Sequence, residues 1–186
     1  KIEIRSKKTT LPLGQTKIIT DDGAKTPVEG AVTDGVTRLR LQLLVKNNWQ
    51  ALSNFTWSIV DPQLPDSSAQ KGTLLNEENV PADTLPVVFN ADGLAEAVYR
   101  APDSFVRWGT PEEMNDKGRP ERGIQITLNS SALGLPAIRL KRPPLVLVHG
   151  TWGTPTSTWS EFKPIVDGDG GRYIVTLADY SELPFS

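Results

Sequence analysis

The residues with most chemical potential lie together in His149-Gly150-Thr151-Trp152-Gly153. This stretch holds the chain's single histidine and follows Leu145-Val146-Leu147-Val148, a continuous apolar run. A run without polar alternation suits a strand buried on both faces, as in a parallel sheet covered by helices. A glycine-bearing turn at the carboxyl end of such a strand is where α/β folds place the backbone groups that hold ligands. The absence of cysteine excludes thiolate catalysis, disulfides and cysteine-based metal sites, and a lone histidine excludes His-rich zinc sites. The pattern therefore implies neither metal nor cofactor. Glu112 and Glu113 are a formal carboxylate pair, but neighbouring side chains diverge on most backbones, so they read as part of a surface loop of mixed charge from Gly109 to Arg122.

The elements that must position the turn can be read on either side of it. Trp159, Phe162, Ile165 and Val166 keep helical spacing, with Thr156 or Ser157 available as a cap, and Pro164 must kink that helix or begin a new one. Glycines stop it, and Tyr173-Ile174-Val175-Thr176-Leu177-Ala178 follows as a second buried strand ending at Asp179. Strand, helix and strand with short loops make one right-handed crossover unit of a parallel sheet. Upstream, Lys141-Arg142-Pro143-Pro144 is a stiff polar connector.

Residues 1–140 have a different character. The 186-residue chain is 38% apolar and 23% charged, enough for a buried core, while 15 glycines and 15 prolines favour short elements joined by turns. Leu39, Leu41, Leu43 and Val45 alternate with Arg38, Arg40 and Gln42, which predicts a strand whose arginines face solvent. Phe55, Trp57 and Ile59 define a second strand with an aromatic core face. Further strands are predicted at 87–89, 95–100, 123–128 and 137–140, with a weaker one at Ile2-Glu3-Ile4, and Asp92-Gly93 marks a hairpin. Some seven strands without a convincing helix imply two packed antiparallel sheets. The net charge of −2 has no long run of one sign, which argues against nucleic acid as a partner, and no apolar stretch is long enough for a membrane span.

Two family resemblances follow. The stretch Pro144 to Gly153, then Ser157-Thr158-Trp159, then the strand ending in Asp179-Tyr180-Ser181, resembles the opening of a lipase or esterase of the α/β-hydrolase family. In that family the loop after the strand supplies an oxyanion-hole donor, the backbone N–H of the residue following His-Gly, which here is Thr151, flanked by Gly150 and Trp152. Acyl transfer places negative charge on the former carbonyl oxygen, and a fixed N–H aimed at it lowers the barrier by roughly 3 kcal/mol. The resemblance makes His149 and Gly153 structural supports of the loop, although a sole histidine invites assignment as a general base. It implies an ester or lipid substrate and no cofactor, and leaves Trp152 and Trp159 either walling an acyl pocket or packing the first helix. Residues 1–140 resemble the immunoglobulin-like modules of bacterial surface and exported proteins, through Thr33-Asp34-Gly35-Val36, Ala91-Asp92-Gly93-Leu94 and Tyr99-Arg100-Ala101-Pro102. That resemblance implies a secreted or cell-surface bacterial protein.

The expected fold class is thus mostly β: an immunoglobulin-like antiparallel β-sandwich over 1–140, then the first βαβ unit of an incomplete α/β-hydrolase domain over 141–186. The pattern departs from the hydrolase family in one respect. No Gly-x-Ser-x-Gly elbow occurs in residues 1–186, and no histidine follows His149. The expectation is an amino-terminal portion of a serine hydrolase, inactive by itself, with the open sheet edge covered by the remaining hydrolase segment or a protein partner. The alternative is a non-catalytic sandwich that binds protein or carbohydrate, for which Trp49, Trp57 and Trp108 are the available aromatics.

Overall fold

A computed structural model describes residues 15–46, 50, 54–62, 71–103, 121–129, 137–150, 153–168 and 173–179. The expected strand at Ile2–Ile4 and the residues Trp49, Trp108, Glu112, Glu113, Thr151, Trp152, Tyr180 and Ser181 lie outside them.

Up to residue 141 the described chain is all strand and turn. The strands are β1 (Gln15–Thr20), β2 (Gly30–Val32), β3 (Arg38–Leu44), β4 (Thr56–Val60), β5 (Thr73–Leu75), β6 (Pro81–Ala82), β7 (Thr84–Pro86), β8 (Leu94–Arg100), β9 (Glu121–Leu128) and β10 (Ile138–Lys141). They form two five-stranded sheets, ordered β1-β3-β8-β5-β6 and β2-β10-β9-β4-β7. All pairings within them are antiparallel except β2 with β10, which run parallel. Alternation decides which sheet face is buried. Leu39, Leu41 and Leu43 of β3 meet Ala95, Ala97 and Tyr99 of β8 in one sheet, and Trp57 and Ile59 of β4 meet Ile124, Ile126 and Leu128 of β9 in the other. Both inner faces contribute to one continuous core, so the molecule holds a β-sandwich. Each fully buried large apolar side chain contributes about 1.5–3 kcal/mol relative to exposure.

Two predicted features need correction. The strand expected at 87–89 is not a ladder strand. Val87 N–H donates to the Phe55 carbonyl and Phe89 forms one bridge to Ala95, so the segment runs between the sheets rather than along either. Arg122, assigned to a solvated loop, lies in β9 with only 3% of its surface exposed.

The Asp92-Gly93 turn is closed by Gly93 N–H donating to the Asn90 carbonyl at 3.1 Å, but only the single Phe89–Ala95 bridge flanks it, so it does not join two paired strands as the expected hairpin would. Its glycine takes a left-handed φ of 74°, a conformation in which a Cβ would be strained.

Beyond the sandwich, β11 (Pro144–Val148) and β12 (Ile174–Ala178) pair in parallel, with Pro144 opposite Ile174 and Val148 opposite Ala178. Between them lie two short helices, α1 (Pro155–Thr158) and α2 (Phe162–Gly168). The predicted strand-helix-strand order is present, with Pro164 in the first turn of the second helix, where a proline is tolerated. The cap is Thr154 rather than Thr156 or Ser157. Its hydroxyl accepts from Ser157 N–H, Ser157 Oγ reaches back to Thr154 N–H, and Pro155 begins the helix. No described helix is long and apolar enough to cross a membrane.

Candidate functional site

The turn after β11 is tied down at its two described ends. Gly153 N–H donates to the Gly150 carbonyl at 3.0 Å, and the same oxygen lies 2.9 Å from His149 Nδ1. A carbonyl only accepts, so this contact places an imidazole proton on Nδ1. His149 is 4% exposed, and its ring packs into the base of the turn. The Gly150 carbonyl is therefore held by two donors, one from each side.

The two glycines differ in what they permit. A Cβ on Gly153 would overlap Thr158 Oγ1 and lie 3.6 Å from His149 Cβ, so the absence of a side chain lets α1 close against the strand end. A Cβ on Gly150 would meet no atom within 4 Å, and Gly150 is exposed without a left-handed φ. Among the described residues nothing requires glycine there. Of the predicted site residues, His149, Gly150 and Gly153 are thus brought together.

The surroundings of the turn are apolar and open on one side. Leu147 is buried, whereas Val146 and Val148 on the opposite face of β11 are 57% and 56% exposed. The expectation of a strand covered on both faces therefore holds for one face among the described residues. Trp159 and Phe162 pack ring against ring, with centroids 5.8 Å apart and planes tilted by 54°, and Phe162 and Ile165 remain exposed. Of the two roles open to Trp159, helix packing is the contact observed.

On the sandwich, a groove of about 660 Å³ is lined by Asp21, Arg40, Asn76, Asn79, Val88 and Glu96, among others. Arg40 binds Asp21 at 2.6 Å and Glu96 at 3.3 Å. Partial burial disfavours the charged guanidinium, but the Asp21 hydrogen bond and both carboxylates outweigh it and raise its pKa. Arg40 is thus already neutralised within the protein and Arg38 is exposed, in keeping with their outward positions on β3. Trp57, the only described member of the carbohydrate-platform set, is 1% exposed and belongs to the core. Among the described residues, no group of three His, Asp or Glu side chains is placed to hold a metal ion.

One group of polar residues was missed in the sequence. Asp61 and Arg122 form an ion pair with side chains 0% and 2% exposed, and Arg142 and Thr33 are buried at the same end of the second sheet. The signal was available: Trp57-Ile59-Asp61 and Ile138-Leu140-Arg142 continue the inward alternation of their strands by one step. No protein-family profile matches the chain, and no curated protein matches it either.

Proposed function

We propose that the chain is the amino-terminal portion of a serine carboxylic-ester hydrolase of lipase or esterase type. In this reading an immunoglobulin-like sandwich precedes the first strand-helix-strand unit of an α/β-hydrolase domain, whose β11 turn supplies an oxyanion donor. The observation that carries it is the doubly held Gly150 carbonyl at the carboxyl end of a parallel strand, with no described atom within 4 Å of where a Cβ on Gly150 would lie. That end of a parallel strand is where α/β enzymes gather ligand-binding backbone.

The sandwich part of the reading draws on strand order. Taken in chain order with the short β2, β6 and β7 set aside, β1-β3-β8-β5 follows the A-B-E-D sheet of immunoglobulin domains and β10-β9-β4 follows G-F-C. Trp57 on β4 occupies the strand on which that fold buries its tryptophan.

In the proposed chemistry a serine outside residues 1–186 attacks the ester carbonyl, and a histidine, also outside them, takes its proton and passes it to the leaving alkoxide. Thr151 N–H donates to the oxyanion of the tetrahedral intermediate, Gly150 leaves room for the acyl carbon, and Trp152 flanks the site. His149 holds the turn through Nδ1 and transfers no proton. An oxyanion donor of this kind is worth about 10²–10³ in turnover.

The test is hydrolysis of a short-chain p-nitrophenyl ester by the 186-residue chain and by the longer natural polypeptide, with and without a serine-directed phosphonate. Turnover confined to the longer polypeptide and abolished by phosphonate is expected. No turnover in either, or turnover that phosphonate does not touch, overturns the reading. The groove beside Arg40 favours the alternative, a non-catalytic binding sandwich, and the second outcome would support it.

A further inference from the structure

We propose that the groove on the outward face of the first sheet docks an extended, lysine- or arginine-bearing segment of a protein partner. The strand register places that groove. Arg40 of β3 stands opposite Val98 of β8, and Val98 opposite Leu75 of β5, so the three share one cross-strand row. The adjacent row, Leu39, Tyr99 and Leu74, is buried in the core, which puts Arg40, Val98 and Leu75 on the face turned away from it. The solvated face of an antiparallel sheet is ordinarily polar. Leu75 is nevertheless only 3% exposed there, and Leu75, Leu85, Val88 and Val98 give the groove an apolar lining in which Val88 keeps 70% of its surface open.

The charged groups beside that lining decide what fits it. Four carboxylates, those of Asp21, Glu77, Glu78 and Glu96, accompany a single guanidinium, that of Arg40. Arg40 is already paired with Asp21 at 2.6 Å and Glu96 at 3.3 Å, so Glu77 and Glu78 meet no free cation among the lining residues. Such a surface repels a phosphate backbone, and no aromatic ring lines it for a sugar to stack on. A cationic side chain and an apolar one on the same face of an extended chain match both of its properties.

The backbone that carries the unpaired carboxylates is fixed in advance. In the turn after β5, Asn76 N–H donates to the Val80 carbonyl at 3.0 Å, and Asn76 Oδ1 accepts from Glu78 N–H at 3.0 Å and Val80 N–H at 2.8 Å. Arg38 donates to Asn79 Oδ1 at 2.9 Å and ties the same turn to β3. A partner therefore meets a groove whose acidic turn needs little further ordering, which lowers the cost of association. The volume of about 660 Å³ lies within the range of ligand clefts, about 300–1,000 Å³. The proposal holds whether or not the turn after β11 is catalytic.

The experiment uses the 186-residue chain and needs no ester, so its failure is distinguishable from failure of the hydrolase reading. The probe is the peptide acetyl-Lys-Ser-Leu-Ser-Lys-amide, whose alternation sets both lysines and the leucine on one face when extended. In a ¹H–¹⁵N titration the amides of Leu75, Glu77, Val88, Glu96 and Val98 should shift to saturation while those of β11 stay in place. The same peptide with glutamate for lysine, or with serine for leucine, should bind about tenfold more weakly or not at all, and added salt should weaken the parent peptide. Glu77, Glu78 and Val88 are exposed, so the Glu77→Gln, Glu78→Gln double variant and Val88→Ser should keep the native unfolding midpoint. Each should nonetheless lose about tenfold in affinity for the parent peptide. Equal binding of the control peptides, unchanged affinity in both variants, or no saturable shift at about 5 mM peptide would overturn the proposal. Shifts of the same amides on dilution of the protein alone would make the occupant a second copy of this chain and overturn it too.

Discussion

The Asp61–Arg122 pair gives the sharpest quantitative test of the buried polar residues at one end of the second sheet. Both side chains are almost completely removed from water. Replacing Asp61 with leucine takes the carboxylate away from the buried Arg122 guanidinium, and losing one partner of such a pair costs about 3–5 kcal/mol. Domains of this kind hold only about 5–15 kcal/mol in total, so Asp61→Leu alone should remove a large share of it. Arg122→Met should cost a similar amount for the mirror reason, a buried carboxylate losing that cation. The combined Asp61→Leu, Arg122→Met variant removes both charges and fills their volume, and should return to within about 1–2 kcal/mol of the native protein. The two single losses then exceed the double loss by several kcal/mol, the signature of direct coupling between neighbours. Urea unfolding at neutral pH, followed by tryptophan fluorescence, measures all four proteins, and a constant m-value shows that the unfolded reference is unchanged. Single losses below about 1 kcal/mol, or a double loss equal to the sum of the singles, would mean that water reaches the pair and that it is not a buried, coupled ion pair.

Three further outcomes follow from other positions. Gly72 has a φ of 76°, and a Cβ there would lie 2.5 Å from both the Arg100 carbonyl oxygen and Tyr99 Oη, so Gly72→Ala should cost about 2–4 kcal/mol in denaturant unfolding. Tyr99→Phe should not rescue it, because the Arg100 clash and the left-handed φ persist. Burial opposes ionisation of Asp34, but hydrogen bonds from Thr37 N–H, Thr37 Oγ1 and Val36 N–H together outweigh it and hold its carboxyl below the ordinary value of 3.8. A depressed folded pKa contributes stability above the unfolded value that is lost as pH falls through the folded one, so thermal scans below about pH 4 should show a smaller acid-induced drop for Asp34→Asn than for the native protein. Gly150→Ala meets no described atom within 4 Å, so it should leave the unfolding midpoint unchanged while, on the proposed hydrolase reading, lowering ester turnover by on the order of tenfold or more. Equal losses in stability and turnover would mark Gly150 as a structural glycine.

The sequence made legible those strands in which a buried row alternates with a polar one for long enough to count. β3, β4, β8, β9 and β10 were all found this way, within a residue or two of their ends. β2, β5 and β7 have three residues each, too few to display a period. β1 places Ile18 and Ile19 side by side, both buried, which hides its alternation. The segment 87–89 failed for the opposite reason. Val87 is buried and Val88 exposed as in a strand, yet the chain there is crossing between sheets and forms only isolated bonds. Arg122 was lost among its charged neighbours, because composition assigned the run to solvent before the pleat was followed through it. In the candidate site, His149, Gly150 and Gly153 could be grouped from spacing alone, but the difference between the two glycines could not. It depends on whether Thr158 comes back to meet Gly153, which the Thr154-capped helix decides in three dimensions and residue spacing does not encode.

The buried charges also answer a question that hydrophobic alternation leaves open. A strand that slips by one residue turns its apolar row outward and is heavily penalised, but a slip of two keeps every side chain on its own face. For β10 a slip of two in one direction would carry Leu140 into the place of Ile138 opposite Ile124, residues of equal size, at little cost in apolar burial. It would, however, bring Arg142 opposite Arg122, where Leu140 now stands, setting a second cation against the Asp61–Arg122 pair. A buried ion pair adds little net stability over an apolar substitute, but a charge at one defined depth discriminates between registers that hydrophobicity treats alike. The Asp61→Leu, Arg122→Met variant separates these two effects. It should unfold near the native midpoint while the β10 amides, from Ile138 to Lys141, show exchange broadening or doubled resonances that the native protein lacks. A single sharp set of β10 resonances in that variant would show that the parallel pairing to β2 suffices to fix the register, and that the charges are not what selects it.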